Sequence, residues 1–183
     1  MRRTPLVAVL SLLAAGVLVS ANANADSSHG KGNDKIKVDL KGFEEVPITV
    51  TSGSGELQLM INEAAGTIAY SLTYEDLEGD VTQAHIHIGQ KNVAGGIALW
   101  LCQTTANPAP PAAGTTVPTC PAGHSGTVAG TLTADNVIGP AGQAVPAKNL
   151  DDVLTAIRAG KAYGNVHSTV VLGGEIRGQI NHH

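Results

Sequence analysis

Short runs in which apolar and polar residues alternate are the feature that most limits how this chain can fold. Residues 57–61 and 68–72 both show this period of two, and the turn-forming segment 62–66 separates them. Alternate side chains of a strand point to opposite faces, so the two runs predict a β-hairpin. Further β-type runs start at residue 35 and lie at 82–88, 96–101, 126–133, 162–169 and 175–181. Seven or eight short strands between Gly-rich turns predict an antiparallel β-sandwich or barrel.

One segment has helical rather than strand periodicity. Asn149 is a suitable N-cap, Asp151 and Asp152 fall in the first turn, and Gly160 marks the end. The apolar positions Leu150, Val153, Leu154 and Ile157 form one stripe. We therefore expect a single short helix packed on the β domain.

The N-terminus has the organisation of an export signal. Arg2 and Arg3 precede an apolar run at residues 6–19, which is followed by the A-x-A sequence at residues 23–25. The run is shorter than the roughly 20 apolar residues that a membrane span needs. We interpret residues 1–25 as a signal peptide, 26–34 as a flexible lead-in and 35–183 as one β domain. The expected product is secreted or periplasmic, with no membrane-integral segment after cleavage.

The overall charge excludes one class of partner. The chain of 183 residues carries a formal charge of −4, only 14% of its residues are charged, and it has no basic run. Binding to the phosphate backbone of a nucleic acid needs a positively charged surface. We therefore expect no nucleic-acid partner.

Export gives the two cysteines a structural meaning. Cys102 and Cys120 form an even pair around a Pro-rich stretch, and neither belongs to a C-x-x-C motif. In an oxidising compartment this pair predicts a disulfide. The stretch 104–123 would then be a long tethered loop, either a lid or a simple insertion.

Histidines carry the candidate chemistry. His85 and His87 are two residues apart in a predicted strand, so their rings project to one face, about 6.6–7 Å apart along the chain. His167 lies in a second strand, on the same face as Tyr163 and Asn165. If these strands are neighbours, three imidazoles converge on one ion with open positions left for water or substrate. The alternative is that they are ordinary solvated side chains on a polar face.

The other histidines are weaker candidates. His124 lies in the tethered loop and is a possible fourth ligand. His29, His182 and His183 are interpreted as exposed tail residues.

The last strand supplies a further polar face. Alternation places Glu175, Arg177 and Gln179 together, after a Gly173-Gly174 turn that brings Arg177 near His167. Arg177 is thus a candidate to draw an anion toward a metal, and Glu175 a candidate to hold a ligand histidine. The alternative is a simple ion pair between the two on a sheet surface.

Three motifs, in order, resemble the CHRD domain, which is named after chordin. They are LKGFEEVP at 40–47, AHIHIG at 84–89, and NVHS at 165–168 followed by GEIRGQI at 174–180. The resemblance covers nearly all of the chain after residue 35. It implies a secreted Greek-key or immunoglobulin-like β domain, in which the segment between the cysteines is an insertion.

A second resemblance is to the copper-zinc superoxide dismutases, which are also Greek-key β proteins. His85 and His87 are similar to the H-x-H copper pair of that family, and Val166-His167 to its later copper ligand. The bridging histidine and the zinc ligands have no counterpart in this sequence. The resemblance therefore implies a mononuclear, copper-only site.

Two functional hypotheses follow. The first is an exported protein that binds one copper ion through His85, His87 and His167 and dismutates superoxide, with Arg177 steering the small anion. Imidazole ligands favour Cu²⁺ over Zn²⁺, and zinc at the same residues would instead activate a water molecule. The second is a non-enzymatic extracellular interaction module in which the histidines are incidental.

Overall fold

Eight strands and one α-helix make up the part of the chain that the computed structural model describes, residues 33–110 and 117–181. The strands are β1 (Asn33–Lys41), β2 (Ser54–Asn62), β3 (Thr67–Glu75), β4 (Val81–Ile88), β5 (Gly96–Cys102), β6 (Gly126–Leu132), β7 (Ala162–Ser168) and β8 (Ile176–Ile180), and the helix is α1 (Leu150–Arg158). Short 3₁₀ turns lie at Gly42–Glu44, Ala134–Asn136 and Ala141–Gln143. The interpreted signal peptide, His29, His182 and His183 lie outside the described residues.

The strands form one antiparallel sheet in the order β5-β4-β7-β8-β1-β2-β3-β6. The sheet curls until its two edge strands, β5 and β6, come close together. The Tyr70 hydroxyl on β3 donates a hydrogen bond of 2.6 Å to the Leu101 carbonyl on β5, across the gap. The prediction of an all-β sandwich or barrel is confirmed, and the sheet is nearly a closed barrel.

Alternation decides which side chains fill the barrel. On β2 and β3 the residues predicted to face inward are buried: Leu57, Leu59, Ile61, Ile68, Tyr70 and Leu72. Strands β4 and β7 differ, because almost every residue on both of their faces is buried. One face of these strands therefore belongs to the core, and something other than the barrel interior covers the opposite face.

The single helix forms where its capping signals predict. The Asn149 side chain accepts a hydrogen bond from the backbone N–H of Asp152, and Gly160 follows the last turn with φ of 65°. The four residues of the apolar stripe are buried against the core. Burial of this stripe holds a helix that is too short to be stable alone.

One boundary differs from the sequence prediction. Asn33 and Asp34 already pair with Asn62 and Ile61 on β2, so the first strand includes the last two residues of the expected lead-in. Polar residues in a strand give no alternation signal, although backbone pairing with β2 extends through them.

The predicted disulfide between Cys102 and Cys120 is present. It joins the end of β5 to the return of the long loop toward β6, where Gln103 and Thr119 also form an isolated bridge. Both cysteines are buried in the core.

Within the described residues no helix is long and apolar enough to span a membrane.

We predict that replacing both cysteines with alanine lowers the free energy of unfolding by about 3 kcal/mol, because the unfolded chain is released from a loop of this size. Urea unfolding of both proteins under non-reducing conditions measures the difference. Reduction of the native protein should reproduce the loss, and an unchanged unfolding midpoint in the double variant would contradict the prediction.

Candidate metal centre

The register between β4 and β7 brings the three histidines together. His85 lies opposite Asn165, His87 opposite Tyr163, and Gln83 opposite His167. All six side chains share the face that points away from the hydrophobic core, whereas Ala84 and Ile86 point into it. The predicted neighbourhood of the two histidine strands is thus present in the structure.

The three imidazoles form a compact cluster. One ring nitrogen from each of His85, His87 and His167 lies within 4.8 Å of the others. The ring centroid of His85 is 5.4 Å from that of His87 and 5.0 Å from that of His167. Bonds of about 2.0–2.1 Å to one ion require each ring to move inward by less than about 1 Å.

Loop carbonyl groups fix two of the rings. His87 Nδ1 lies 2.9 Å from the Gly95 carbonyl oxygen, and His167 Nδ1 lies 2.9 Å from the Leu172 carbonyl oxygen. A carbonyl oxygen can only accept, so Nδ1 carries the proton in both rings and Nε2 keeps its lone pair. Both Nε2 atoms are shielded from solvent and have no hydrogen-bond partner in the described part of the protein. Metal-binding histidines commonly have this arrangement, in which the N–H of the ring nitrogen that does not bind the metal donates to a backbone carbonyl and so fixes the ring's orientation.

His85 is the most enclosed of the three. It has no exposed surface, and neither ring nitrogen has a partner at hydrogen-bonding geometry among the described residues. The Asn165 side chain opposite it acts to raise the pKa of His85, but burial outweighs this effect. The Trp100 ring meets the His85 ring edge to face, with 4.2 Å between the centroids. A buried polar group without a partner is costly, and a metal ion would supply the missing interaction.

The histidines are held in the uncharged form that binds metals. Burial, reinforced by the neighbouring imidazoles of His167 and His87, lowers the pKa of His85 to about 2. Burial likewise lowers the pKa of His87 to about 4 and shifts the pKa of His167 downward. Proton competition for the three donors is therefore weak near neutral pH.

Arg177 lies behind the cluster rather than at its surface. Its side chain is 2% exposed, and Nη2 donates to the carbonyl oxygens of Gln90 at 3.2 Å and Val93 at 3.0 Å. The guanidinium carbon lies 3.4 Å from the centroid of the Tyr163 ring, and that ring stacks on His87 with 4.7 Å between centroids. The three side chains form one layered stack.

Glu175 has a role that the sequence did not suggest. It is fully buried, and Oε1 accepts hydrogen bonds from the Thr51 hydroxyl at 2.6 Å and the Glu78 backbone N–H at 2.7 Å. Neither the alternative ion pair with Arg177 nor a bond to a ligand histidine is found among the described residues. Glu175 instead ties two connecting segments to the start of β8.

His124 stands apart from the cluster. Its side chain is about half exposed, with Nδ1 2.7 Å from the Leu77 carbonyl oxygen and Nε2 3.6 Å from an Asp80 carboxylate oxygen. Among the described residues, the metal-compatible group contains His85, His87 and His167 only. The structure therefore does not bring His124 to the site as a fourth ligand.

Together these observations define a class: a disulfide-stabilised, all-β domain that buries a tri-histidine cluster on the outer face of its barrel. The family model described as CHRD domain matches residues 36–180, and the chain belongs to this family. This membership confirms the first resemblance and is consistent with the disulfide and with an extracellular type of module. No curated protein and no solved structure matches the chain.

The neutral histidines predict how stability depends on pH when no metal is bound. Below pH ~6.5 the unfolded chain protonates its histidines, but the folded protein does not protonate His85 or His87 until far lower pH. The free energy of unfolding should therefore fall from pH ~6.5 to ~5, by up to about 1.4 kcal/mol per pH unit for each such histidine. Urea unfolding of the apoprotein between these pH values measures the slope.

A variant assigns this slope. His87→Gln should reduce it, because it removes a histidine whose pKa burial lowers to about 4 in the folded protein. A slope of zero in the native apoprotein, or the same slope in His87→Gln, would contradict the assignment.

Proposed function

We propose that this protein is an exported CHRD domain that binds a single copper ion through Nε2 of His87, Nε2 of His167 and one ring nitrogen of His85. The observation that carries the proposal is the set of three buried, uncharged imidazoles whose inward nitrogens have no protein partner. Without an ion, these nitrogens lose their hydration and gain nothing in return. Cleavage of residues 1–25 and release into the periplasm or medium complete the proposal.

Copper is preferred to zinc at this site because, among divalent ions, an all-imidazole set binds Cu²⁺ more tightly than Zn²⁺. Copper supplies one-electron redox chemistry when it is bound, and the chain supplies the neutral donors and the dry surroundings.

Dismutation of superoxide stays a prediction based on the second resemblance. It requires the anion to approach the ion, yet the inward nitrogens of the cluster are shielded from solvent. Arg177, the residue expected to steer the anion, faces Tyr163 and two loop carbonyls. Superoxide consumption by copper-loaded protein, measured against its His87→Ala variant, separates an enzyme from a copper-binding module.

A second candidate function is favoured by exposed apolar side chains on the connections from β1 to β2 and from β7 to β8. These connections carry Phe43, Ile48, Val50, Val170 and Leu172, all mostly exposed. The two connections meet where the Thr49 hydroxyl donates a hydrogen bond of 3.3 Å to the Gly174 carbonyl. Exposed apolar patches are typical of interaction surfaces. The chain would then serve as a non-enzymatic extracellular module, and its binding would persist in a variant that has lost copper.

We predict that the purified protein retains one copper per chain after dialysis against a weak chelator, and that His87→Ala or His167→Ala lowers the affinity by more than about 100-fold. Loss of a residue that merely orients a ligand costs about 10–100-fold, so loss of a ligand itself costs more. Metal analysis gives the stoichiometry, and electron paramagnetic resonance of the oxidised form shows coupling to the imidazole nitrogens.

His124→Ala is the control, because that residue lies outside the cluster and should leave copper binding unchanged. Failure of the native protein to retain stoichiometric copper, or equal binding by native protein and His87→Ala, would refute the proposed site.

A further inference from the structure

A buried positive charge lies one aromatic ring away from the histidine cluster. The guanidinium carbon of Arg177 is 3.4 Å from the centre of the Tyr163 ring, and the opposite face of Tyr163 stacks on His87 with an interplanar angle of 6°. Arg177 is 2% exposed, so water screens its charge weakly.

Arg177 has no direct ion-pair partner in the described structure. It donates to the neutral carbonyls of Gln90 and Val93. The buried carboxyl of Glu45 interacts with it electrostatically but forms no ion pair with it. The three candidate ligands are themselves neutral, so none of them offsets the charge of a bound ion.

We propose that Arg177 makes this a site selective for monovalent copper over divalent ions. The inference rests on the proposed metal site and adds which charge of the bound ion that site prefers. The cost of burying an ion rises steeply with its charge, and the repulsion from a fixed cation rises in proportion to it. Three neutral imidazoles compensate neither effect, so Cu⁺ is favoured over both Cu²⁺ and Zn²⁺. Arg177 is in this sense a specificity-determining residue that does not touch the ion.

The same stack also positions His87. The effect of the Arg177 charge must therefore be separated from the effect of the stack on the orientation of His87. The Tyr163 hydroxyl accepts the Gly95 backbone N–H at 3.1 Å, while the Gly95 carbonyl accepts from His87 Nδ1 at 2.9 Å. Tyr163 therefore holds the peptide that orients His87. Loss of this hydroxyl should weaken the binding of every metal alike, whereas loss of the Arg177 charge should change the ratio between ions.

The experiment compares the native protein with Arg177→Met, Arg177→Lys and Tyr163→Phe. Affinity for Cu⁺ is measured without oxygen by competition with a chromogenic Cu⁺ chelator, and affinity for Zn²⁺ by competition with a fluorescent zinc chelator. The copper reduction potential provides an independent readout. Circular dichroism confirms that each variant is folded, and Arg177→Gln replaces the methionine variant if that one does not fold.

Removal of the charge in Arg177→Met should lower the ratio of Cu⁺ to Zn²⁺ affinity by about 30-fold. This is the size expected when two ions that differ by one unit of charge lie about 8 Å from a fixed charge at an effective dielectric constant near 20. The reduction potential should fall in parallel. Arg177→Lys keeps the charge and should restore most of the ratio. Tyr163→Phe keeps the ring stack but loses the hydroxyl, so it should weaken both affinities and leave their ratio unchanged.

Two outcomes would overturn the inference, and they are distinguishable from failure of the metal site. If the native protein binds metal through His87 but Arg177→Met leaves the ratio and the potential unchanged, Arg177 does not set the preference. If Arg177→Lys changes the ratio as much as Arg177→Met, the effect is steric rather than electrostatic. Absence of stoichiometric binding by the native protein would refute the metal site itself, and with it this inference.

Discussion

The antiparallel pairing of β4 with β7 is the constraint on which the rest of the site depends. It places His85, His87 and His167 on one face while Ala84, Ile86 and Val166 enter the core. A shift of one residue on β7 would exchange the two faces, burying His167 among apolar side chains and exposing Val166. Because the core side chains fix the register, the hydrophobic effect that folds the barrel also determines the geometry of the imidazoles on its outer surface.

Connecting segments turn that outer surface into a buried environment. Arg177 binds the carbonyl groups of Gln90 and Val93, and Gln179 binds that of Gly89, so β8 holds the loop after β4 over the cluster. The turn between β7 and β8 supplies the Leu172 carbonyl to His167. The polar residues of β8 therefore act through the loops, which in turn orient the histidines and exclude water from them.

The limits of sequence reasoning follow from this division between strands and loops. The hairpin of β2 and β3, the helix cap at Asn149 and the common face of His85 and His87 all follow from local periodicity or local capping chemistry, and the sequence predicted them. The burial of Arg177 and the position of His124 depend on where irregular segments pack, for which no periodic signal exists. The Gly95 and Leu172 carbonyls are backbone groups, so no side-chain motif could have indicated them.

The enclosure of the donor atoms has a kinetic consequence for any ion that binds here. The inward nitrogens of His87 and His167 are shielded from solvent, and two loops supply the carbonyls that orient these two rings. Because the donor atoms are buried, entry or exit of an ion requires a local opening, and movement of either loop would disturb a ligand. An ion held in this way exchanges only when the protein opens locally, which suits retention of the ion. Rapid reaction with a free anion would instead need an open coordination position facing solvent, so loop mobility is the property on which a catalytic role depends.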